Sequence, residues 1–356
     1  MLRPMVRPIA YALGVVAVAV SAHAQTITTS QVFGPEIPGA YKHPASFTEL
    51  SNGDLYLVYY GGGGEYEEDS KVWGSRLAIG ASDWTAPKVI ADTPFLSEGN
   101  PVVWEAPDKV VWLFYVQRYG DTWSSSRIKA KISRDAAHTW SDSFILAFEQ
   151  GMMVRSRPIV LNDGDYLLGV YHEKGADREN VTAETTSLFL RYSPSDNTWT
   201  QTNRIRSRLG NLQPTPVQVT DDYLVSYSRR GGGYGPTTDG YLVRAESRDG
   251  GRTWSEGTDS AFPNPNAATD FIKLANGHLL LVYNDSMTER APLTAAISTD
   301  DDRSYPYRMN IAEGQEPFAY PVALQTRDGL IHVVYTTQNR TTIMHAVFDE
   351  RVILEQ

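Results

Sequence analysis

One short motif recurs along this chain and dictates the kind of fold it can adopt. The clearest copy is Ser247-Arg248-Asp249-Gly250-Gly251-Arg252-Thr253-Trp254, and Ser133-Arg134-Asp135-Ala136-Ala137-His138-Thr139-Trp140 repeats it. Weaker copies are Ser193 to Trp199, Ser298 to Tyr305 and Ser82-Asp83-Trp84. Their aromatic ends fall at 84, 140, 199, 254 and 305, separations of 51 to 59 residues. Sequence preceding the copies alternates in the manner of β-strands, as in Leu55-Tyr56-Leu57-Val58-Tyr59 and Leu279-Leu280-Leu281-Val282-Tyr283. Asn52-Gly53, Asp163-Gly164, Asn276-Gly277 and Asp328-Gly329 precede such runs as hairpin turns. A period near 50 residues with several short strands per unit predicts propeller blades.

The motif has a mechanical reading. Asp side chains close tight turns on nearby backbone N–H groups, and the terminal Trp or Tyr packs between blades. A calcium loop would need a denser set of acidic ligands. Five copies imply at least five blades. The segment 321–348 carries two more strand patterns and no motif, so it closes the ring with an N-terminal strand near 27–33. The expected fold is therefore all-β: a six-bladed β-propeller of antiparallel four-stranded blades, one domain spanning 25–356.

Composition narrows the partners. The formal charge is −10, so a nucleic-acid partner is not expected. There is no cysteine, which removes disulfides and thiolate metal sites from consideration. Neither a metal nor a cofactor is expected. Arg3 and Arg7, the apolar run from Ile9 to Val20 and Ala22-His23-Ala24 read as a signal peptide over 1–24. Export to a bacterial periplasm or beyond is expected, without a membrane span, and the protein is expected to be a monomer.

Gly210-Asn211-Leu212-Gln213-Pro214, Pro263-Asn264-Pro265-Asn266, Leu281-Val282-Tyr283-Asn284 with Arg290-Ala291-Pro292-Leu293, and Tyr320-Pro321-Val322-Ala323-Leu324-Gln325 resemble the sialidase superfamily, especially bacterial sialidase-like proteins with Asp-box (BNR) repeats. The resemblance covers essentially all of 25–356. It implies three arginines gripping a substrate carboxylate, because the planar guanidinium fork matches it. It implies an Asp acid/base and a Tyr nucleophile paired with a Glu, an exception to the two-carboxylate rule. On this resemblance Tyr320 matches the nucleophile, Arg290 the third arginine, Arg229 the second with Arg230 as its adjacent competitor, and Asp69 the acid/base.

Two positions depart from that pattern. Lys42-His43-Pro44 stands where the first arginine belongs, and Gln213 stands where the tyrosine's Glu partner belongs. Lys42 and His43 remain candidate anion contacts. His172 and Glu173 follow the strand pattern 166–171, and Arg155 and Arg157 precede it, so all four are candidates for the central funnel. Asn264, Asn266 and Asp270 form a polar cluster suited to turns or to sugar hydroxyls.

The leading expectation is an exo-glycosidase releasing a terminal anionic sugar, sialic, ulosonic or uronic, from a glycan or oligosaccharide. Tyr320 and Asp69 carry its chemistry. A polysaccharide lyase acting on uronate polymers is the alternative enzyme, with Gln213 neutralising the carboxylate and His43, His172 and Tyr320 moving protons. A glycan-binding propeller without catalysis is the third.

Overall fold

The computed structural model describes residues 26–37, 39–178 and 180–356. The expected signal peptide, 1–24, lies outside the described residues. Six antiparallel blades form a ring, and each is built from the inner strand outward. Blade 1 runs Tyr41–Glu49, Leu55–Gly62, Lys71–Leu77 and Lys88–Ala91. Blade 2 runs Ser97–Glu105, Val111–Arg118, Arg127–Ser133 and Phe144–Ala147. In blade 3 the inner strand is broken into Met152–Val154 and Ile159–Val160, followed by Tyr166–His172, Thr186–Ser193 and Thr198–Gln201. Blade 4 is Asn211–Gln218, Leu224–Arg230, Tyr241–Ser247 and Thr258–Pro263. Blade 5 is Asp270–Lys273, Leu279–Asn284, Leu293–Ser298 and Tyr307–Ala312.

Blade 6 joins the two ends of the chain. Its inner three strands are Ala319–Gln325, Ile331–Thr337 and Thr342–Phe348, and its outer strand is Thr28–Phe33. Thr28 pairs with Val347 and Phe33 with Ile343, which closes the ring as the sequence predicts. The hairpin glycines Gly53, Gly164, Gly277 and Gly329 all take positive φ, between 88° and 94°, which a side chain would resist.

The repeated motifs are turns between third and outer strands. In three of them the bonding is the same. Asp135 accepts from Thr139 N and Oγ1 at 2.9 and 2.6 Å, Asp249 from Thr253 at 2.9 and 2.6 Å, and Asp300 from Ser304 at 2.9 and 2.6 Å. Each aromatic end packs on the preceding blade. Trp140 meets Tyr56, Trp199 meets Trp112, Trp254 stacks on Phe189 at 4.2 Å, Tyr305 meets Phe262, and Trp84 meets His345 of blade 6. Large aromatic rings bury roughly 150–250 Å² each, so these wedges are a main source of adhesion between blades. Because third strands run away from the axial mouth that holds Tyr320, the motifs lie on the opposite face.

Candidate active site

The inner strands begin at one mouth of the axial channel, and several start with a residue followed by proline. Proline has no N–H to give a ladder. The pairing slips by a bulge at Lys42/Ala45, Gly99/Val102, Leu212/Thr215 and Ala319/Val322, around Pro44, Pro101, Pro214 and Pro321. A bulge re-aims the side chain it carries. Asn100, Gln213 and Tyr320 take φ of 43°, 59° and 53°, a region bulky residues avoid. Strain of this kind collects at functional sites.

Tyr320 sits on the floor of a cleft of about 600 Å³. Its hydroxyl accepts hydrogen bonds from Arg229 Nη1 at 2.8 Å and from Gln213 Nε2 at 3.2 Å. Arg229 is held in turn by Asn266 Oδ1 at 2.6 Å and Tyr234 Oη at 3.1 Å. Beneath the cleft, Asn100 donates to Tyr171 Oη at 3.0 Å, and Tyr171 bonds Gln213. Arg290 donates to Asn266 O at 3.0 Å and lies 5.8 Å from the Tyr320 ring centre.

Burial alone would raise the Tyr320 pKa, but the guanidiniums of Arg229, Arg290 and Arg340 outweigh it and hold the phenol below its ordinary value. Two donors aimed at the oxygen favour the ionised form for the same reason. Burial, followed by repulsion from Arg229, brings Arg290 down to about 10, so it is still charged at neutral pH.

Arg340 was not anticipated from sequence. It stands in a tight hairpin where Gln338, Asn339 and Arg340 all have φ between 50° and 65°. Its carbonyl accepts the Lys42 backbone N–H at 2.7 Å, across the seam between blades 6 and 1. A third guanidinium therefore enters the cleft from the neighbouring strand end, beside the position where the sequence offers Lys42. It donates to Tyr41 Oη at 3.1 Å and forms a short ion pair with Glu65. Glu65 also accepts from Trp123 Nε1 at 3.2 Å and lines the cleft.

Other sequence candidates divide clearly. Asn266 joins the cluster through Arg229. His43 packs its ring edge-on to Tyr320 at 4.1 Å, with Nδ1 at 2.7 Å from Thr336 Oγ1. Burial, then the surrounding arginines, holds it well below its usual pKa, so it is neutral. Glu173 is within electrostatic reach of Arg229, and burial pushes its pKa up to about 7.

Asp69 does not line the cleft. Its carboxylate accepts the Gly63 N–H at 2.9 and 3.1 Å and faces an adjoining recess. Lys42 turns its ammonium away, into the carbonyls of Ile37 and Gly39 at 3.0 and 2.6 Å. His172 lies on the opposite side of its strand from Tyr171, between Gln150 O and Arg204. Arg230 points away from Arg229 and ties Asn264 O and Gly231 O, both at 2.8 Å. Arg157 works deeper in the channel. With Arg155 it leaves the break in blade 3 and donates to blade 6, Arg155 to Tyr320 O and Pro321 O, Arg157 to Ala323 O. Among the described residues no group of three His, Asp or Glu is placed to hold a metal ion, and no helix is long and apolar enough to cross a membrane.

Comparison with known proteins agrees with this architecture. The chain superposes on the Hadza microbial sialidase Hz136 with a TM-score of 0.76 at 16% identity, covering 91% of this chain and 69% of the other. The NanB sialidase from Streptococcus pneumoniae gives a TM-score of 0.74 at 10% identity, covering 91% and 71%. The α-L-arabinofuranosidase Arb93A from Fusarium graminearum gives 0.69 at 14% identity, covering 93% and 100%. At such identities the likeness establishes the shared fold. No curated protein matches the chain in sequence. The family model for the BNR repeat-like domain matches residues 53–333, most of the chain, and the protein belongs to that family.

Proposed function

We propose that this protein is a glycoside hydrolase that releases a terminal anionic sugar, a sialic, ulosonic or uronic acid, from a glycan. The observation that carries this reading is the Tyr320 hydroxyl, held by Arg229 and Gln213 among guanidiniums at the floor of the cleft. In a chain of net charge −10, that local excess of positive charge suits an anionic substrate. Arg229, Arg290 and Arg340 engage the substrate carboxylate. Tyr320 attacks the anomeric carbon, and the glycosidic C–O bond breaks. The departing oxygen takes its proton from solvent, because Glu65, the cleft carboxylate, is ion-paired with Arg340 and accepts from Trp123. Water then bonds to the anomeric carbon, its proton passes to solvent and the Tyr320 phenolate leaves, so configuration is retained. Sialidases and an arabinofuranosidase among the structural relatives support a glycosidase. The signal-like segment at 1–24 supports action outside the cytoplasm.

The usual base beside a tyrosine nucleophile is replaced here by a donor. Gln213 cannot accept a proton, and electrostatics substitutes for it by lowering the phenol pKa. The test is hydrolysis of aryl glycosides of sialic, ulosonic and uronic acids. Tyr320→Phe lowers kcat by roughly a thousandfold or more, and NMR of the first-formed sugar shows retention. Full activity in Tyr320→Phe overturns the assignment.

The contact of His43 with Tyr320 favours one second reading, elimination from a uronate. That reading requires an unsaturated, ultraviolet-absorbing product from a uronate polymer, and a saturated sugar product excludes it.

A further inference from the structure

The axial channel has a second mouth. The inner strands start at the cleft and end on the opposite face. There Val160, Gln218, Lys273 and Gln325, each the last residue of its strand, surround a cavity of about 470 Å³. The proposed hydrolysis makes no use of it. A cavity of this size with largely apolar walls and a few placed polar groups is the common form of a small-molecule site.

The walls are apolar at Pro158, Ile159, Ile272 and Leu324, and Val160 stands at the rim, 44% exposed. The polar side chains differ in how far the fold has already satisfied them. Gln218 accepts from Asn162 N at 2.8 Å and donates to Asp221 O at 3.0 Å. Gln325 accepts from Ala275 N at 2.7 Å and donates to Gly329 O at 3.0 Å. Asp270, the one carboxylate in the lining, accepts Phe271 N at 3.1 Å and Ala323 N at 2.7 Å. Arg157 is different. Its Nη2 donates to Ala323 O, while Nε and Nη1 have no partner among the described residues and keep surface open to the cavity. Lys273 donates to Gln218 O and Val219 O, both at 3.1 Å, and its ammonium has a further N–H to give.

A half-buried guanidinium with unused donors calls for an acceptor. Arg157 and Lys273 outweigh the single charge of Asp270, whose oxygens both hold backbone N–H groups, so the acceptor that fits is negative. A carboxylate takes two guanidinium N–H groups at once, and the apolar walls leave room for a hydrophobic body behind it. We propose that the far mouth of the axial channel is a binding site for a small carboxylate with a compact apolar body, held by Arg157 and Lys273. This site lies on the motif face, away from Tyr320, and stands or falls independently of the glycosidase reading.

The test is calorimetric titration with sodium benzoate and with its neutral counterpart benzamide. The protein carries Arg290→Met, which weakens anion binding in the cleft and leaves the far mouth intact. The expected result is saturable binding of one benzoate per chain, with benzamide at least tenfold weaker. Arg157→Lys keeps the charge and loses the planar fork, and it should weaken benzoate at least tenfold. Val160→Trp, made at an exposed rim position, fills the cavity without touching either cation. It should do the same with unchanged thermal unfolding, and it decides the matter if Arg157→Lys proves unstable. No saturable benzoate binding, equal affinity for benzamide, or benzoate binding that survives Val160→Trp overturns the inference, whatever the protein does to aryl glycosides.

Discussion

Tyr320 carries its phenol oxygen between two donors with no base beside it, so its ionisation is governed by neighbouring charge. Arg229 and Arg290 are the two largest influences lowering its pKa. Removing one cation must raise that pKa. For Arg290→Met the rising limb of the kcat/KM pH profile therefore moves to higher pH, and KM for the anionic substrate rises at least tenfold. An unmoved limb would mean that the phenolate is not the reacting species. Neighbouring positions show why part of the site was legible and part was not. Side chains alternate across a strand. Arg229 and Tyr171 face the axis, so Arg230 and His172, one residue on, face away. The sequence marks such pairs without saying which member turns inward. Glu98 offers a residue-scale test of stability. It is fully buried, Oε2 has no partner, and burial pushes its pKa up from 4.5 to about 7. A raised folded-state pKa means stability present in full below about pH 4.5 and lost as pH rises through about 7. Glu98→Gln should be more stable than the parent at pH 8 by about 2 kcal/mol, with the gap closing at pH 4.5. Urea unfolding at both pH values measures it.

At the scale of elements, two periodic signals run through the chain in different phases. The Asp motifs fall at third-strand ends on the face away from the cleft, and they locate blades. The prolines at 44, 101, 214, 265 and 321 fall at the cleft end, and the residues before them include His43, Asn100, Gln213 and Tyr320, whereas Pro158, in phase with them, lies deeper, past the break in blade 3. That second period was in the sequence and pointed at the site more directly than the first. Arg340 and Glu65 had no comparable signal. Arg340 depends on a hairpin with three successive positive φ angles and no glycine, and Glu65 on a loop whose fold is set by contacts with blades 2 and 6. Separation of the two faces gives a prediction. Asp249→Ala removes an acceptor for Arg252 N, Thr253 N, Thr253 Oγ1 and Ser247 Oγ. Loss of that partly exposed turn should cost about 1–3 kcal/mol and leave KM unchanged at temperatures well below melting. A matching loss of affinity would show that the motif face communicates with the cleft.

A propeller is held shut where its last blade meets its first, and here that seam also assembles the site. Phe33, on the one strand of blade 6 supplied by the N-terminal part of the chain, is 4% exposed and meets the ring of Tyr59 in blade 1 at 5.8 Å. Closer to the axis the same seam holds His43 against Thr336 and the Lys42 N–H on the Arg340 carbonyl. Closure and the third guanidinium are thus one structural event. Phe33→Ala leaves a cavity between the blades, and substitutions of this kind cost about 3–5 kcal/mol. Opening that begins at the seam would release the Arg340 hairpin before the other blades separate. The expected result is a lower melting temperature together with faster hydrogen exchange at the Lys42 amide, while the blade 4 amides around Arg229 stay protected at low temperature. Affinity for the anionic sugar should fall in step with Lys42 exchange, below the temperature of global unfolding. Uniform loss of protection around the ring would instead mean that the six blades open as one cooperative unit and that the seam has no separate hold on the site.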